Sequence, residues 1–379
     1  MIPYGKQIIS QQDIESVVEV LNSDFITQGP KVKQFEGEMA AYCNAKHSFA
    51  VNSATSALHI ACLALGVGTD DLVWTTPNSF VASANCALYC GADIDFVDIS
   101  PDTGNMCVEL LAQKLATSQV VPKVVIPVHF AGQSCDMKRI HQLSLEYGFK
   151  IIEDASHAVG AQYNDKRVGN CEFSDICVFS FHPVKIVTTA EGGMALTNDD
   201  NLAKKLELFR SHGVTREPDL MTVDSVEPWY YQQVALGFNY RMTELQAALG
   251  LSQLIQLDHF VKTRNNIADL YKKAFDEADI SYLKVDDTCY SAYHLFVIKV
   301  PENVRSELFK HLRANEIGVN VHYIPIHTQP YYQELGFKPG QFKRAEAYYS
   351  QCISIPLFPA LKQKDQEYII DTIKAYLCS

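Results

Sequence analysis

The chain organises itself around Asp175–Thr197, DICVFSFHPVKIVTTAEGGMALT. Ile176, Cys177, Val178 and Phe179 form a short apolar run that reads as a buried strand. Ser180–His182 turn polar, Lys185 follows, and Glu191-Gly192-Gly193 cross into a second apolar run. Lys185 therefore falls in a tight loop just past a strand end. A lysine placed there, with a serine five residues before it and a glycine pair after it, suits an amine that forms a Schiff base with a carbonyl compound. Such a nucleophile must be neutral, so an apolar surround that lowers its pKa from about 10.4 serves the chemistry. Taken alone, Lys185 reads as an ordinary loop lysine; its companions give it meaning.

A chain of 379 residues has length for two domains, or one large domain with a smaller one beside it. Hydrophobic residues make up 47% and charged residues 20%, as in globular proteins, and no apolar run approaches a bilayer span. The opening MIPYGKQIIS lacks a basic segment followed by an apolar core, so the cytoplasm is the expected compartment and no membrane partner is expected. Eleven cysteines, an odd number, are scattered through apolar segments (Cys62, Cys86, Cys90, Cys177), as free thiols in a reducing compartment would be. Cys86 and Cys90 have no CxxC or HExxH spacing beside them, so no metal site is expected. A net charge of -12 argues against nucleic acid as the main partner and leaves room for a local basic pocket that takes an anionic small molecule.

Ser10–Asn22 carries a capping serine, an acidic residue three later and apolar positions at Ile14, Val17, Val18 and Leu21, which predicts an amphipathic helix. FITQGP, Phe25–Pro30, leads to a second helix over about Lys33–Cys43 and either lines a cleft or merely connects. Short apolar runs then alternate with helical patterns. Strands are expected at Ser48–Asn52, Leu72–Thr76, Asp95–Asp98, Val124–Val128 and Ile151–Glu153, and helices at Thr55–Leu65, Ser79–Cys90 and Asp136–Tyr147. This is the rhythm of a mainly parallel sheet with helices on both faces, in which ligands sit at the carboxyl ends of strands. Beyond Thr197 come a helix at Leu202–Arg210, an irregular acidic and aromatic stretch at Glu217–Tyr231, and helical patterns from Met242 and over Asp258–Ala278. A second unit follows: strand Leu295–Val300, helix Val304–Asn315, strand Val319–Tyr323 and a closing helix Asp365–Leu377, with the domain boundary expected near residue 250.

Four clusters accompany Lys185. Asn52-Ser53-Ala54-Thr55-Ser56 joins a strand to a helix with small and hydroxyl residues, which suits either a plain helix cap or a phosphate held by free N–H groups. Phe80, at an expected helix start, either packs in the core or lies on a planar ring. Asp154 stands at the carboxyl edge of a strand, as a helix cap or as the partner of a protonated pyridine nitrogen. Ser180 offers a further hydroxyl. An anion cradle, a stacking ring, a carboxylate and a Schiff-base amine are together what pyridoxal phosphate requires.

NSATSALHIA, TTPNSFVASAN, PVHFAGQ, IIEDASHAVGA, FSFHPVK with TTAEGG, FRSHG and GFNYRMTELQAALG run over essentially the whole length and resemble the sugar aminotransferases of the DegT/DnrJ/EryC1/StrS family. LNSDFITQGP, LFRSHGVTRE and VHYIPIHTQPYY are most similar to the branch that transaminates UDP-4-keto sugars in the pseudaminic acid pathway. The resemblance implies an α/β fold of the PLP-dependent transferase fold type I. Residues 1–250 would be a large cofactor domain with an N-terminal helical segment, and 251–379 a smaller α/β domain. It also implies roles: Lys185 as Schiff-base lysine and proton shuttle, Asp154 on the pyridinium nitrogen, His157 on the ring hydroxyl and Phe80 stacked on the ring. Ala54, Thr55 and Ser180 would bind the phosphate, with Asn239 reaching it from the neighbouring subunit of a homodimer with shared sites. Arg241, Tyr323 and His327 are candidates for the sugar nucleotide or donor carboxylates, although His322 and His327 read as well as hydrogen-bonded structural residues. Ile186 stands where many relatives carry proline, which leaves the chemical roles untouched.

The implied reaction takes an amino group from L-glutamate and delivers it to C4 of a UDP-linked 4-keto-6-deoxy sugar, with Lys185 as base and acid in turn. Rival readings are the same chemistry on a legionaminic acid, bacillosamine or aminoarabinose precursor, and, more distantly, a non-catalytic cofactor-binding sensor. The family's sugar dehydratase branch replaces the lysine by histidine, which Lys185 argues against. A nicotinamide dehydrogenase lacks its GxGxxG after the first strand.

Overall fold

Seven strands make the central sheet: β1 His47–Val51, β2 Leu72–Thr75, β3 Asp93–Phe96, β4 Val124–Ile126, β5 Lys150–Asp154, β6 Ile176–Ser180 and β7 Gly193–Thr197. In the computed structural model, which describes residues 1–223 and 227–378, their order is β1-β7-β6-β5-β4-β2-β3. β7 runs antiparallel to both its neighbours, and the other pairings are parallel. The α/β class read from the alternating pattern is therefore the observed one. Buried on both faces, β6 splits its side chains by strand periodicity: Ile176 and Val178 enter one core layer, Cys177 and Phe179 the other.

Helices α1 Gln11–Leu21, α2 Pro30–Cys43, α3 Ala54–Ala64, α4 Ala82–Tyr89, α5 Val108–Thr117, α6 Met137–Tyr147, α7 Asp200–Arg210, α8 Glu244–Ile255 and α9 Leu257–Asp276 surround the sheet. Leu58 and Ile60 of α3 and Leu206 of α7 pack on one face; Phe35 and Met39 of α2 and Ala247 of α8 pack on the other. The chain then builds an antiparallel sheet from β8 Ser281–Tyr282, β9 Phe296–Lys299 and β10 Cys352–Ile355. Its core joins Tyr271 and Phe275 of α9 to Leu308 and Leu312 of α10 (Glu302–Ala314) and to Ile369 and Ile373 of the last helix, Gln363–Leu377. Among the described residues no helix is long and apolar enough to cross a membrane. All eleven cysteines are free thiols. Three residues of the irregular stretch 217–231, numbers 224–226, lie outside the described residues.

Several expected elements differ. Helix α4 starts at Ala82, not Ser79, leaving Phe80 in the turn before it. Helix α5 and strand β10 were not read from the sequence. Val319–Tyr323 is not a strand: Asn320 alone bridges to Ser354. Side chains take two of its other donors: the Val321 N–H bonds Asn320 Oδ1 at 2.8 Å and the Tyr323 N–H bonds Asn78 Oδ1 at 3.3 Å. A backbone satisfied in that way has no need of a ladder.

The turn FITQGP is fastened from far away in the chain. Gly29 caps α2 without a side chain, and Pro30 occupies its first turn. The missing cap is Glu244, 1% exposed, whose two carboxylate oxygens accept the N–H groups of Lys31 at 2.8 Å and Val32 at 2.9 Å. A Cβ at position 29 would stand 2.8 Å from that carboxylate and 2.7 Å from Phe25 Cβ, so the close approach requires glycine. Removing the carboxylate leaves two helix-end donors unsatisfied beside a positive dipole end. Glu244→Ala is expected to lower stability by about 1–3 kcal/mol, read as a lower urea midpoint at unchanged slope.

Candidate active site

Parallel strands bring their carboxyl ends to one edge. Asp154 ends β5 and Ser180 ends β6. Because β7 runs back, its first residue, Gly193, pairs with Ser180 on one side and with Val51, the end of β1, on the other. The β1 end leads directly into α3, so four separate stretches of sequence meet at one place. Lys185 hangs in the loop between β6 and β7, directly above this edge.

The approach of α3 is close. A Cβ on Gly193 would stand 2.5 Å from the Ala54 amide nitrogen, so only glycine lets the helix end reach the sheet. Ser53 caps α3, its Oγ accepting the Ser56 N–H at 3.1 Å. Ala54 and Thr55 are the first two helical residues, and their N–H groups have no acceptor within the helix. Two free amides, the positive end of the dipole and the Ser180 hydroxyl form an anion cradle.

These residues line a cavity of about 450 Å³ that also contains Phe80, Asp154, His157, Lys185 and Tyr323. Asp154 is 4% exposed and held by three donors: Ser83 Oγ at 2.5 Å on one oxygen, and Ser156 Oγ at 2.5 Å and Ser156 N–H at 3.2 Å on the other. The pKa of Lys185 is lowered to about 8 by burial, which outweighs the opposing attraction of Asp154. A neutral amine thus becomes available well below the usual lysine range. His157 is buried, its Nε2 lies 3.1 Å from the Tyr323 hydroxyl, and its Nδ1 has no partner. Burial, and then Lys185, press its pKa well below the usual imidazole value, so it is neutral. Burial raises the Tyr323 pKa, which keeps that hydroxyl protonated. Phe80 is 60% exposed, with a ring face open at the rim and 6.5 Å from the Tyr323 ring.

Three of the residues named from the sequence do not line this chain's own cavity, Asn239 having been assigned to the neighbouring subunit's site. His327 is a correction: fully buried, it bonds Glu346 at 2.9 Å and does not line the cavity. Asn239 is exposed and bridges Ser211, while the Arg241 backbone bridges Val51; neither lines the cavity. Conversely, Tyr4, Ser83, Glu191, His294 and His322 line it and were not read as site residues. Ser83 had a local signal, since Ser79 four residues earlier is its hydrogen-bond neighbour at 2.7 Å. Tyr4, His294 and His322 come from distant segments and had none.

The DegT/DnrJ/EryC1/StrS aminotransferase family model matches residues 7–374. The spore coat polysaccharide biosynthesis protein SpsC of Bacillus subtilis is 38% identical over 98% of this chain and 96% of its own. A UDP-4-amino-4,6-dideoxy-N-acetyl-beta-L-altrosamine transaminase of Campylobacter jejuni (serotype O:2) is 38% identical over 100% of this chain and 98% of its own. Helicobacter pylori PseC, an aminotransferase involved in the biosynthesis of pseudoaminic acid, superposes with a TM-score of 0.91 at 32% identity, covering 99% of this chain and 98% of that one. Spr1654 of Streptococcus pneumoniae, solved in its PLP-form, superposes with a TM-score of 0.89 at 30% identity over 99% and 98%. The cradle pressed against Gly193, the enclosed carboxylate and the unpartnered His157 Nδ1 fit a phosphorylated pyridine aldehyde. By a match that spans nearly its whole length, the chain belongs to the DegT/DnrJ/EryC1/StrS family and is an aminotransferase that works with pyridoxal phosphate.

Proposed function

We propose that this protein transfers an amino group from L-glutamate to C4 of a UDP-4-keto-6-deoxy-N-acetyl-hexosamine, UDP-2-acetamido-2,6-dideoxy-β-L-arabino-hex-4-ulose, in pseudaminic acid and surface-glycan synthesis in the cytoplasm. The observation that carries this reading is the full-length likeness to the Campylobacter transaminase, joined to a cavity that holds Lys185 and Asp154 together. The equal identity to SpsC favours a second reading, the same chemistry on another nucleotide-linked 4-keto sugar.

Pyridoxal phosphate, when bound, supplies the electron sink that makes the donor Cα–H acidic. Lys185 would hold the cofactor and, as a free amine, would be the group that moves the proton at the donor Cα. Asp154 would keep the pyridine nitrogen protonated, and the three hydroxyl and amide donors around it hold that carboxylate in place. Ala54, Thr55 and Ser180 would bind the phosphate, His157 would meet the ring hydroxyl, and Phe80 would cover the ring. Tyr323 and Arg241 are assigned to the sugar nucleotide or the donor. Residues 1–250 form the cofactor unit and 251–379 the smaller unit that closes the cavity with His294, His322 and Tyr323.

A homodimer completes the site. Asn239 is exposed and does not line its own cavity, and Phe25, Trp229 and Leu236 expose large apolar surfaces, 54%, 69% and 79%, that a second copy would cover. Asn239→Ala should release cofactor more readily on dialysis. Assayed at a cofactor concentration too low to fill sites that lack Asn239, mixing it with inactive Lys185→Ala under subunit exchange should recover about a quarter of wild-type activity, since half the dimers then carry one intact site. Recovery of none would show that each site belongs to one chain.

The function itself is tested by the absorption spectrum of the purified protein. L-glutamate should convert the visible band to the pyridoxamine form, and one member of a panel of UDP-4-keto-6-deoxy-N-acetyl sugars should restore it. A different nucleotide sugar restoring the band selects the second reading; no band after adding pyridoxal phosphate sinks both. Lys185→Ala should lower turnover by about 10⁴-fold or more while leaving the fold unchanged by circular dichroism.

Depression of the Lys185 pKa to about 8 also has a sign that can be read directly. The neutral amine dominates above that value and falls to about 1% two units below it. Labelling of Lys185 in the apoprotein by a neutral amine-reactive reagent should therefore rise with pH and level off above about 9. A rate still climbing at pH 10 would mark an ordinary solvated lysine.

A further inference from the structure

His294 lies just before β9, is 5% exposed, and lines the cavity that holds Lys185. Neither of its ring nitrogens has a hydrogen-bond partner among the described residues, and Nδ1 is wholly enclosed. A polar ring buried to that degree without a partner is rare in a folded protein and calls for a ligand. Of the other cavity imidazoles, His182 is exposed to solvent, and the two buried ones are more fully engaged. His322 has Nδ1 2.8 Å from Ser354 Oγ and Nε2 3.4 Å from Asn320 Nδ2. His157, whose ring centroid is 4.4 Å from that of His294, holds the Tyr323 hydroxyl.

Behind His294 sits Arg264, 1% exposed. Its Nη1 donates to the carbonyls of Tyr293 at 3.1 Å, His294 at 3.4 Å and Leu357 at 3.0 Å. Arg264 forms no ion pair with a carboxylate among the described residues, and its Nε is also unpartnered. Burial lowers its pKa only to about 10, so it stays charged at neutral pH. Burial first, and then His157, Lys185 and Arg264, hold the His294 pKa well below the usual value, so its ring is neutral and carries one N–H. The wall therefore presents a neutral donor with an unbalanced cation behind it.

Every amino-acid donor brings an α-carboxylate into this cavity, and among the described residues no arginine of the same chain lines it. Lys185 is committed to the reacting carbon. We infer that His294 receives the α-carboxylate of the amino donor, with Arg264 as the positioning residue that holds its backbone and supplies the field; this rests on the transamination reading above. A hydrogen bond to an ionised group in a water-poor pocket is stronger than a neutral one, and the cation behind it favours the anion further.

The test uses holoenzyme with His294→Phe, which keeps the ring volume without an N–H, and His294→Gln, which keeps N–H donors. Glutarate, a non-reacting dicarboxylate, and UDP are titrated by calorimetry, and the half-saturation for L-glutamate is taken from the spectral half-reaction. His294→Phe should weaken glutarate binding and raise the glutamate half-saturation about 10- to 100-fold, with UDP affinity within about twofold. His294→Gln should recover most of the loss. Unchanged glutarate affinity in His294→Phe overturns the assignment, and so does an equal loss of UDP affinity, which marks a merely structural role. If His294→Phe is not recovered folded, His294→Ala is judged by the same readings. A wild type that transaminates while His294→Phe binds glutarate normally overturns this assignment alone; a wild type that converts no amino acid overturns the transamination reading with it.

Discussion

The backbone pairing of Ser180 with Gly193 is the constraint on which the site depends. A parallel strand following β6 would need a long crossover that carried the chain to the far edge of the sheet. Strand β7 instead turns back at once, so the connecting loop stays above the carboxyl edge and Lys185 stays with it. The same reversal puts Gly193 between Ser180 and Val51, which draws the end of β1 and the start of α3 to the edge. Absence of a Cβ at Gly193 then sets how near the α3 amides come. The helix end at Ala54 and the lysine loop thus owe their places to one change in strand direction.

The electrostatics follow from burial of unequal groups. Asp154 is enclosed but surrounded by three donors, so its charge is stabilised by the protein and not by water. Lys185 has fewer compensations, and its ammonium is the form that burial penalises. The histidines at the back are penalised further: the His322 pKa falls to about 3, chiefly by burial, with Lys185 adding repulsion. Neutral imidazoles next to a readily neutralised amine keep positive charge from accumulating. Arg264, a fixed cation, is set behind them and, among the described residues, bonds carbonyls alone.

Much of this was legible in the sequence, because the signals were local. The alternation of apolar runs with helical periods predicted a mainly parallel sheet, and Asp154, Ser180 and Lys185 announced themselves by standing just past apolar runs. Ser10 and Asp13 were readable as a cap, and each indeed bonds the other's backbone N–H, at 3.1 Å and 2.7 Å. Where a residue's partner is remote, legibility ended. Glu244 looks like an ordinary first-turn acid of its own helix, yet it caps another helix 213 and 212 residues away. His327 sits in a motif rich in polar residues but spends its ring on Glu346.

Local periodicity, caps and turn residues depend on neighbours within a few positions, so the sequence by itself determined most of the elements, their order, and the placement of Lys185 and Asp154 just past strand ends. Which histidines face the lysine, that Tyr4 reaches the cavity from the amino-terminal end, and that Val319–Tyr323 is held by side chains and not by a ladder were decided only by tertiary structure. Those outcomes rest on hydrogen bonds and burial between segments hundreds of residues apart, and no local pattern carries that information.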